Sequence, residues 1–169
     1  MNNLNPIFCA IDTTDMGRAL SLAGDITSAG CCIKLGLEFF NTYGPQGVKQ
    51  VQDKFPELPL FLDLKYHDIP NTVAGAIRSV TSVVSPAYLN VHAAGGLEMM
   101  RAAKEACPVD TKLLAVTILT SLDEQSLQDV GYQKNLSGRV LQMAKLTKQA
   151  GLDGVVCSSH EIEAIREVC

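Results

Sequence analysis

The chain has 169 residues, 47% hydrophobic and 19% charged, the balance of a globular protein with a real core rather than of a disordered one. A net charge of −4 argues against a nucleic-acid-binding surface, which carries a basic stripe. No apolar run of about 18 residues exists to form a transmembrane helix, and Met1-Asn2-Asn3-Leu4-Asn5-Pro6 lacks the basic start and apolar run of a signal peptide; the expected compartment is cytoplasmic.

Short apolar runs alternate with helical stretches along the chain. A strand is predicted at Ile7–Ile11, then a helix at Asp15–Ala29; a strand at Cys31–Leu35, then a helix at Asn41–Phe55; a strand at Leu60–Leu64, then a helix at Asn71–Val84. The same alternation continues with a strand at Tyr88–Val91 and a helix at Gly96–Ala106, a strand at Leu113–Ile118 and a helix at Ser137–Ala150, and a strand at Gly154–Cys157 and a helix at Ser159–Val168. Strands separated by helices mean βαβ units and a parallel sheet, so the class is α/β. No linker or charge block interrupts the pattern, and residues 1–169 are expected to form a single domain. Of the six cysteines, Cys9, Cys31, Cys32 and Cys157 lie in apolar runs without a C-x-x-C pair, and are expected to be reduced and buried.

Side chains at i and i+2 of a strand share a face. Leu60, Leu62 and Leu64 therefore share one face, and Phe61, Asp63 and Lys65 the other; Ile33 and Leu35 flank Lys34; Ile7, Cys9 and Ile11 alternate with Phe8, Ala10 and Asp12. One face can pack on helices, while Asp12, Lys34, Asp63 and Lys65 converge on the other near the C-terminal strand ends. Converging charges favour a (β/α)₈ TIM barrel, whose active site sits at that mouth, although an open doubly wound sheet gives the same βα rhythm. About six βα units are present where a barrel has eight. The sequence stops inside a helical pattern, Glu161-Ile162-Glu163-Ala164-Ile165-Arg166, and an unclosed barrel leaves raw sheet edges, so the barrel is expected to be incomplete at its C-terminus.

The informative segment is Asp63-Leu64-Lys65-Tyr66-His67-Asp68-Ile69-Pro70-Asn71-Thr72, a D-x-K-x-x-D spacing directly after an aliphatic strand. Pro70 suits the first turn of the following helix and Asn71 its cap, with Thr72 in that first turn. A lone Asp-x-Lys is more often a solvated ion pair. Four charges of one parity from three strands, flanked by apolar runs, suggest a shielded and mutually paired group instead. A lysine held between carboxylates stays protonated and is a proton donor rather than a base or nucleophile. His67 and His92 are expected to be structural, the latter hydrogen-bonded at a strand end. His160 is expected at the surface, Gly95-Gly96 in a turn, and Met99 and Met100 in helix packing; no metal site is expected, because no two histidines stand at metal-ligand spacing.

The segment Phe61-Leu62-Asp63-Leu64-Lys65-Tyr66-His67-Asp68-Ile69-Pro70-Asn71-Thr72-Val73 resembles the signature of orotidine 5′-phosphate decarboxylases. Ala10-Ile11-Asp12, Lys34-Leu35-Gly36, Asn90-Val91-His92-Ala93-Ala94-Gly95-Gly96, Ala115-Val116-Thr117-Ile118-Leu119-Thr120-Ser121 and Gly154-Val155-Val156-Cys157-Ser158 resemble that family's first, second, fourth, fifth and sixth strands, in order. The resemblance implies decarboxylation of orotidine 5′-phosphate to uridine 5′-phosphate, the last step of de novo pyrimidine synthesis, without a cofactor. It implies that Lys65 protonates C6 and that Asp63 lies near the departing carboxylate and holds Lys65. Lys34 would bridge Asp63 and a ribose hydroxyl, Asp12 would bind ribose, and Thr120 would hold the pyrimidine ring. Asp68, Ile69 and Thr72 would belong to the substrate site, with Asp68 and Thr72 reaching into a neighbouring subunit, so that a homodimer shares its active sites.

Loss of CO₂ from C6 leaves a vinyl-type anion with no adjacent carbonyl to spread the charge. No motif suggests a cofactor sink, so fixed cationic groups must stabilise the anion electrostatically. Slow uncatalysed reactions leave about 20 kcal/mol for an enzyme to supply, and part of that is expected from gripping the phosphate, remote from the reacting atom. The resemblance places that grip after a seventh and an eighth strand, beyond Cys169, so a polypeptide ending there is expected to be nearly inactive. Two other readings stay open. Magnesium-dependent sugar-phosphate decarboxylases and aldolases of the same suprafamily share D-x-K-x-x-D but place a glutamate ligand where this chain has Lys34, which repels a divalent cation. A non-catalytic truncated barrel module is the other.

Overall fold

The aliphatic runs become strands wherever β-branched and leucine side chains alternate, and the intervening amphipathic stretches become helices. In the computed structural model, which describes residues 7–132 and 136–169, the order is β1 (Phe8–Ile11), α1 (Met16–Ser28), β2 (Cys32–Gly36), α2 (Leu37–Lys54), β3 (Leu60–Tyr66), α3 (Pro70–Thr81), β4 (Tyr88–His92), α4 (Gly96–Ala106), β5 (Lys112–Val116), α5 (Glu124–Asp129), α6 (Leu136–Gln149), β6 (Gly154–Val156) and α7 (Ile162–Val168). The opening residues, on which the reading of the N-terminus rests, lie outside the described residues. Among the described residues no helix is long and apolar enough to cross a membrane.

The strands form one sheet in the order β1-β2-β3-β4-β5-β6, with β1/β2, β2/β3 and β5/β6 parallel. Each new strand joins the outer edge of the last. A doubly wound sheet reverses direction at a switch point; this one does not, and the sequential order is that of a (β/α) barrel.

By internal contacts the chain divides into two compact units. The first holds the described residues up to Leu64, with Ala76–Leu89 and Pro108–Thr111. Ile11, Ile33, Leu35, Leu60 and Leu62 are buried, as the alternation predicts, together with Ala19, Ala23, Phe39, Val48 and Val51 of the covering helices. The opposite face carries an edge-to-face cluster, with ring centroids 6.0 Å apart for Phe8–Phe61, 5.2 Å for Phe8–Tyr88 and 6.2 Å for Phe61–Tyr88. β1 and β4 are three strands apart, about 14 Å in a flat sheet. Rings from both can touch only because the sheet curls around that face, as a barrel interior does.

Within this unit α2 begins earlier than the predicted Asn41 and is broken at Gly44 (φ 62°, ψ −167°), a conformation nearly confined to glycine, after which Pro45 restarts the helix. Gly47 packs flat on Tyr43, since a Cβ there would lie 2.2 Å from Tyr43 Cβ. The Tyr43 hydroxyl donates to Thr14 O (2.5 Å) and accepts from Met16 N–H (3.1 Å), which ties down the loop after β1.

The second unit comprises Lys65–Gly75, Asn90–Cys107 and Lys112–Cys169. Met99, Met100 and Ala103 of α4 are buried as expected, and Val140, Ala144 and Ile165 join α6 to α7. Asp153, before β6, accepts from Lys104 Nζ (2.6 Å) and from Leu113 N–H (2.8 Å), linking α4 and β5. Burial pushes the Asp153 carboxyl up, but those hydrogen bonds and the Lys104 and Lys112 charges outweigh it and hold the group below its ordinary value.

Several sequence expectations need correction. β3 runs on to Tyr66, and β5 stops at Val116 rather than Ile118, because Thr117 turns its N–H (3.2 Å) and hydroxyl (3.1 Å) onto Val156 O. The short α5, capped by Asp123 accepting from Ser126 N–H (2.8 Å), was not expected at all. The last predicted helix is a 3₁₀ turn (Ser159–Glu161) followed by α7. All six cysteines are free thiols, but of the four expected in the core only Cys32 is buried; Cys9, Cys31 and Cys157 are partly exposed.

Candidate active site

Charged side chains gather at the C-terminal ends of the first strands. Asp63 on β3 is buried, and its Oδ2 lies 3.0 Å from Nζ of Lys34 on β2, itself only one-quarter exposed. The strand register sets Gly36 opposite Asp63. A Cβ on Gly36 would stand 3.7 Å from Asp12 Oδ1 and 3.9 Å from Lys34 Nζ, so Asp12 and Lys34 border the same small space over the Gly36 backbone. The structure thus brings Asp12, Lys34 and Asp63 to one end of the first unit. Asp12 is exposed, however, and not shielded as the parity reading expected.

The remaining predicted residues lie in the second unit. Lys65 is half-buried, and among the described residues it is the one non-glycine with positive φ, 49°. A left-handed backbone costs an L-residue about 1–2 kcal/mol. It also departs from the regular extended backbone on which the alternation of side chains along a strand rests. The Lys65 N–H donates to Oδ1 of Asn90 on β4 at 2.7 Å, and Asn90 is buried.

Asp68 is exposed, and its Oδ1 accepts the Ile69 N–H at 2.7 Å, turning the chain into α3. Ile69 is 66% exposed, and Thr72 is exposed in the first turn of α3. α3 starts at Pro70, so Asn71 lies inside the first turn and is not the cap that was expected. His67 and His92 pack with ring centroids 5.3 Å apart. Burial pushes the neighbouring Tyr66 phenol up to about 12, which keeps it neutral.

Thr120 follows β5 and is exposed, bordering a cavity of about 270 Å³ shared with Ile118, Ser137, Ser158 and His160. Ser137 gave no signal in the sequence, Ser158 stood only at the end of a strand motif, and His160 was expected at the surface and not beside a cavity. Asn90 was noticed only as part of a strand motif; its partner is a backbone N–H, which no side-chain pattern reveals. A larger cavity of about 440 Å³ opens at the opposite, N-terminal ends of the strands, near Gln52, Leu60, Ser85 and Thr111. Barrel chemistry belongs to the other end. Among the described residues no cluster of three or more His, Cys, Asp or Glu side chains could hold a metal.

Comparison with known proteins places this geometry in a family. Residues 5–169 match the family model described as orotidine 5′-phosphate decarboxylase / HUMPS family. A protein named orotidine 5′-phosphate decarboxylase from Rhodospirillum rubrum is 50% identical over 170 residues, an alignment covering 96% of this chain and 68% of that protein. The crystal structure of an uncharacterized conserved protein from Geobacillus kaustophilus superposes with a TM-score of 0.88 at 36% identity, covering 97% of this chain and 79% of that one. The orotidine 5′-phosphate decarboxylase of Lactobacillus acidophilus superposes with a TM-score of 0.83 at 31% identity, covering 96% and 75%. A match across almost the whole sequence, with the D-x-K-x-x-D segment at the end of β3, has one meaning: the chain belongs to the orotidine 5′-phosphate decarboxylase / HUMPS family.

Proposed function

We propose that this chain is a carboxy-lyase that converts orotidine 5′-phosphate to uridine 5′-phosphate, with Lys65 as the proton donor. The observation that carries the reading within its family is the Lys34–Asp63 ion pair at 3.0 Å. A magnesium-dependent relative needs an anionic ligand at the position of Lys34; here an ammonium is already engaged with the carboxylate, and a cation brought to that place meets like charge. Named relatives that are 40–50% identical carry the decarboxylase name.

The chemistry follows from what these groups can hold. The C6–carboxylate bond breaks, CO₂ departs, and the electron pair stays on C6. The Lys65 ammonium then gives its proton to C6, and the resulting amine regains a proton from solvent. Asp63 stands by the departing carboxylate, where its negative charge disfavours the bound ground state. Lys34 keeps Asp63 in place and offers N–H groups to the ribose, and Asp12 accepts from a ribose hydroxyl. Thr120 faces the pyrimidine ring. Asp68, Ile69 and Thr72 lie on the exposed segment after β3 and belong to the substrate site, Asp68 and Thr72 serving the site of a second copy of the chain, so that the working unit is a cytoplasmic homodimer. We take residues 1–169 as part of one barrel domain.

Lys65→Ala tests the assignment. General acid catalysis contributes about 10²–10⁴-fold, so loss of the orotidine chromophore should slow by at least that range while circular dichroism stays unchanged. Turnover within tenfold of the parent chain contradicts the proton-donor role. Activity abolished by a chelator and restored by magnesium contradicts the metal-free reaction.

A further inference from the structure

We infer that Asn90 is a positioning residue: its buried amide clamps the Lys65 backbone in the left-handed conformation and thereby sets where the Lys65 ammonium points. Two independent features meet at this contact. Lys65 carries a positive φ of 49°, which a lysine adopts only when its surroundings impose it. The 2.7 Å hydrogen bond from its N–H ends on Asn90 Oδ1, and Asn90 is 1% exposed in the middle of β4, held between buried Leu89 and Val91.

Side-chain amides are costly to bury without a task, and a strand interior disfavours asparagine. The contact gives Asn90 that task. At the end of β3 the Lys65 N–H takes a side-chain acceptor, the Asn90 amide oxygen of the adjacent strand. The Asn90 side chain reaches one carbonyl further than its own main chain and meets that N–H. Lysine is a long, flexible chain with about 2 kcal/mol of rotamer entropy at large. Fixing its root narrows the volume that the ammonium sweeps. Proton delivery depends on approach geometry, and a misplacement of about 1 Å can cost about a hundredfold in rate. Asn90 itself does not touch the reacting atoms in this scheme, which rests on Lys65 being the proton donor proposed above.

The test uses the full chain and three measurements. In the wild-type chain without ligand, amide hydrogen exchange at Lys65 should be slow, well below that of the exposed His67 and Asp68 amides; equal exchange overturns the clamp without any substitution being made. In Asn90→Ala, kcat on orotidine 5′-phosphate should fall by about 10–100-fold with KM within about twofold. Asn90→Asp, which keeps an acceptor at the same place, should recover at least part of that loss. An unchanged kcat, a KM that rises with the loss of kcat, or an Asp variant no better than Ala overturns the inference. A folded wild-type chain that neither binds a pyrimidine nucleotide nor turns over orotidine 5′-phosphate overturns the parent reading and the inference with it, whereas fast exchange at Lys65 in an active chain overturns the inference alone.

Discussion

A carboxylate out of water must find a cation, and Asp63 has found Lys34. Removing one member of a shielded pair leaves the other's charge uncompensated, whereas replacing both by apolar groups of similar volume is often close to neutral. Lys34→Met should therefore lower stability by about 1–3 kcal/mol in denaturant titration, the lower part of that range reflecting the partial exposure of Lys34. Lys34→Met combined with Asp63→Leu should be more stable than Lys34→Met alone, although inactive. A double variant no more stable than the single one would mean that the pair is not energetically coupled. Lys34 and Asp63 were legible in the sequence because each interrupts an aliphatic run, and period-two alternation carries that interruption to one face. The Lys65 backbone was not legible. Nothing in the residue type announces a left-handed lysine, and its cause sits 25 residues away on another strand.

Elements were legible where periodicity was long and obscure where local chemistry overrode it. α4 begins and ends where the apolar spacing places it, at Gly96 and Ala106. α2 does not: it starts at Leu37, directly after β2 and four residues before the predicted Asn41, and the chain is helical on both sides of the break at Gly44. α5 is a six-residue helix, too short for a periodic signal and defined mainly by the Asp123 cap. Between elements, Asp153 acts as a joint for α4, β5 and β6, and its depressed carboxyl makes that joint sensitive to acid. The unfolded chain protonates this aspartate near its ordinary value of about 3.9, while the folded chain holds it ionised to lower pH. Stability from this group is thus fully present above about pH 4 and is lost as pH falls through the lower folded value. Asp153→Asn should reduce stability near neutrality and flatten its fall below about pH 4, as followed by thermal denaturation across the acid range. A parallel fall in both proteins would remove Asp153 from the account of acid sensitivity.

At the scale of the molecule, the repetition of strand and helix foretold the α/β class, and converging charges favoured the barrel. The order β1 to β6 without reversal decided between barrel and doubly wound sheet, which no local pattern can do, since both arise from the same βα unit. The exposed segment from Asp68 to Thr72 poses the matching question for assembly. If Asp68 completes the site of a second copy, mixing inactive Lys65→Ala and Asp68→Ala chains should restore activity, because half of the sites in a mixed dimer are intact. Up to about one-quarter of wild-type activity is expected for random exchange, as a statistical ceiling of the shared-site arrangement. No recovery despite demonstrated subunit exchange would assign Asp68 to the site of its own chain.

The cluster of Phe8, Phe61 and Tyr88 has a consequence for the ion pair. Phe61 precedes Asp63 by two residues on the same face of β3, so the interlocked rings lie on the side of the sheet that carries the ion pair. Those rings come from β1, β3 and β4 and so fasten the strands on either side of Lys34, and any substitution that loosens them should loosen the ion pair as well.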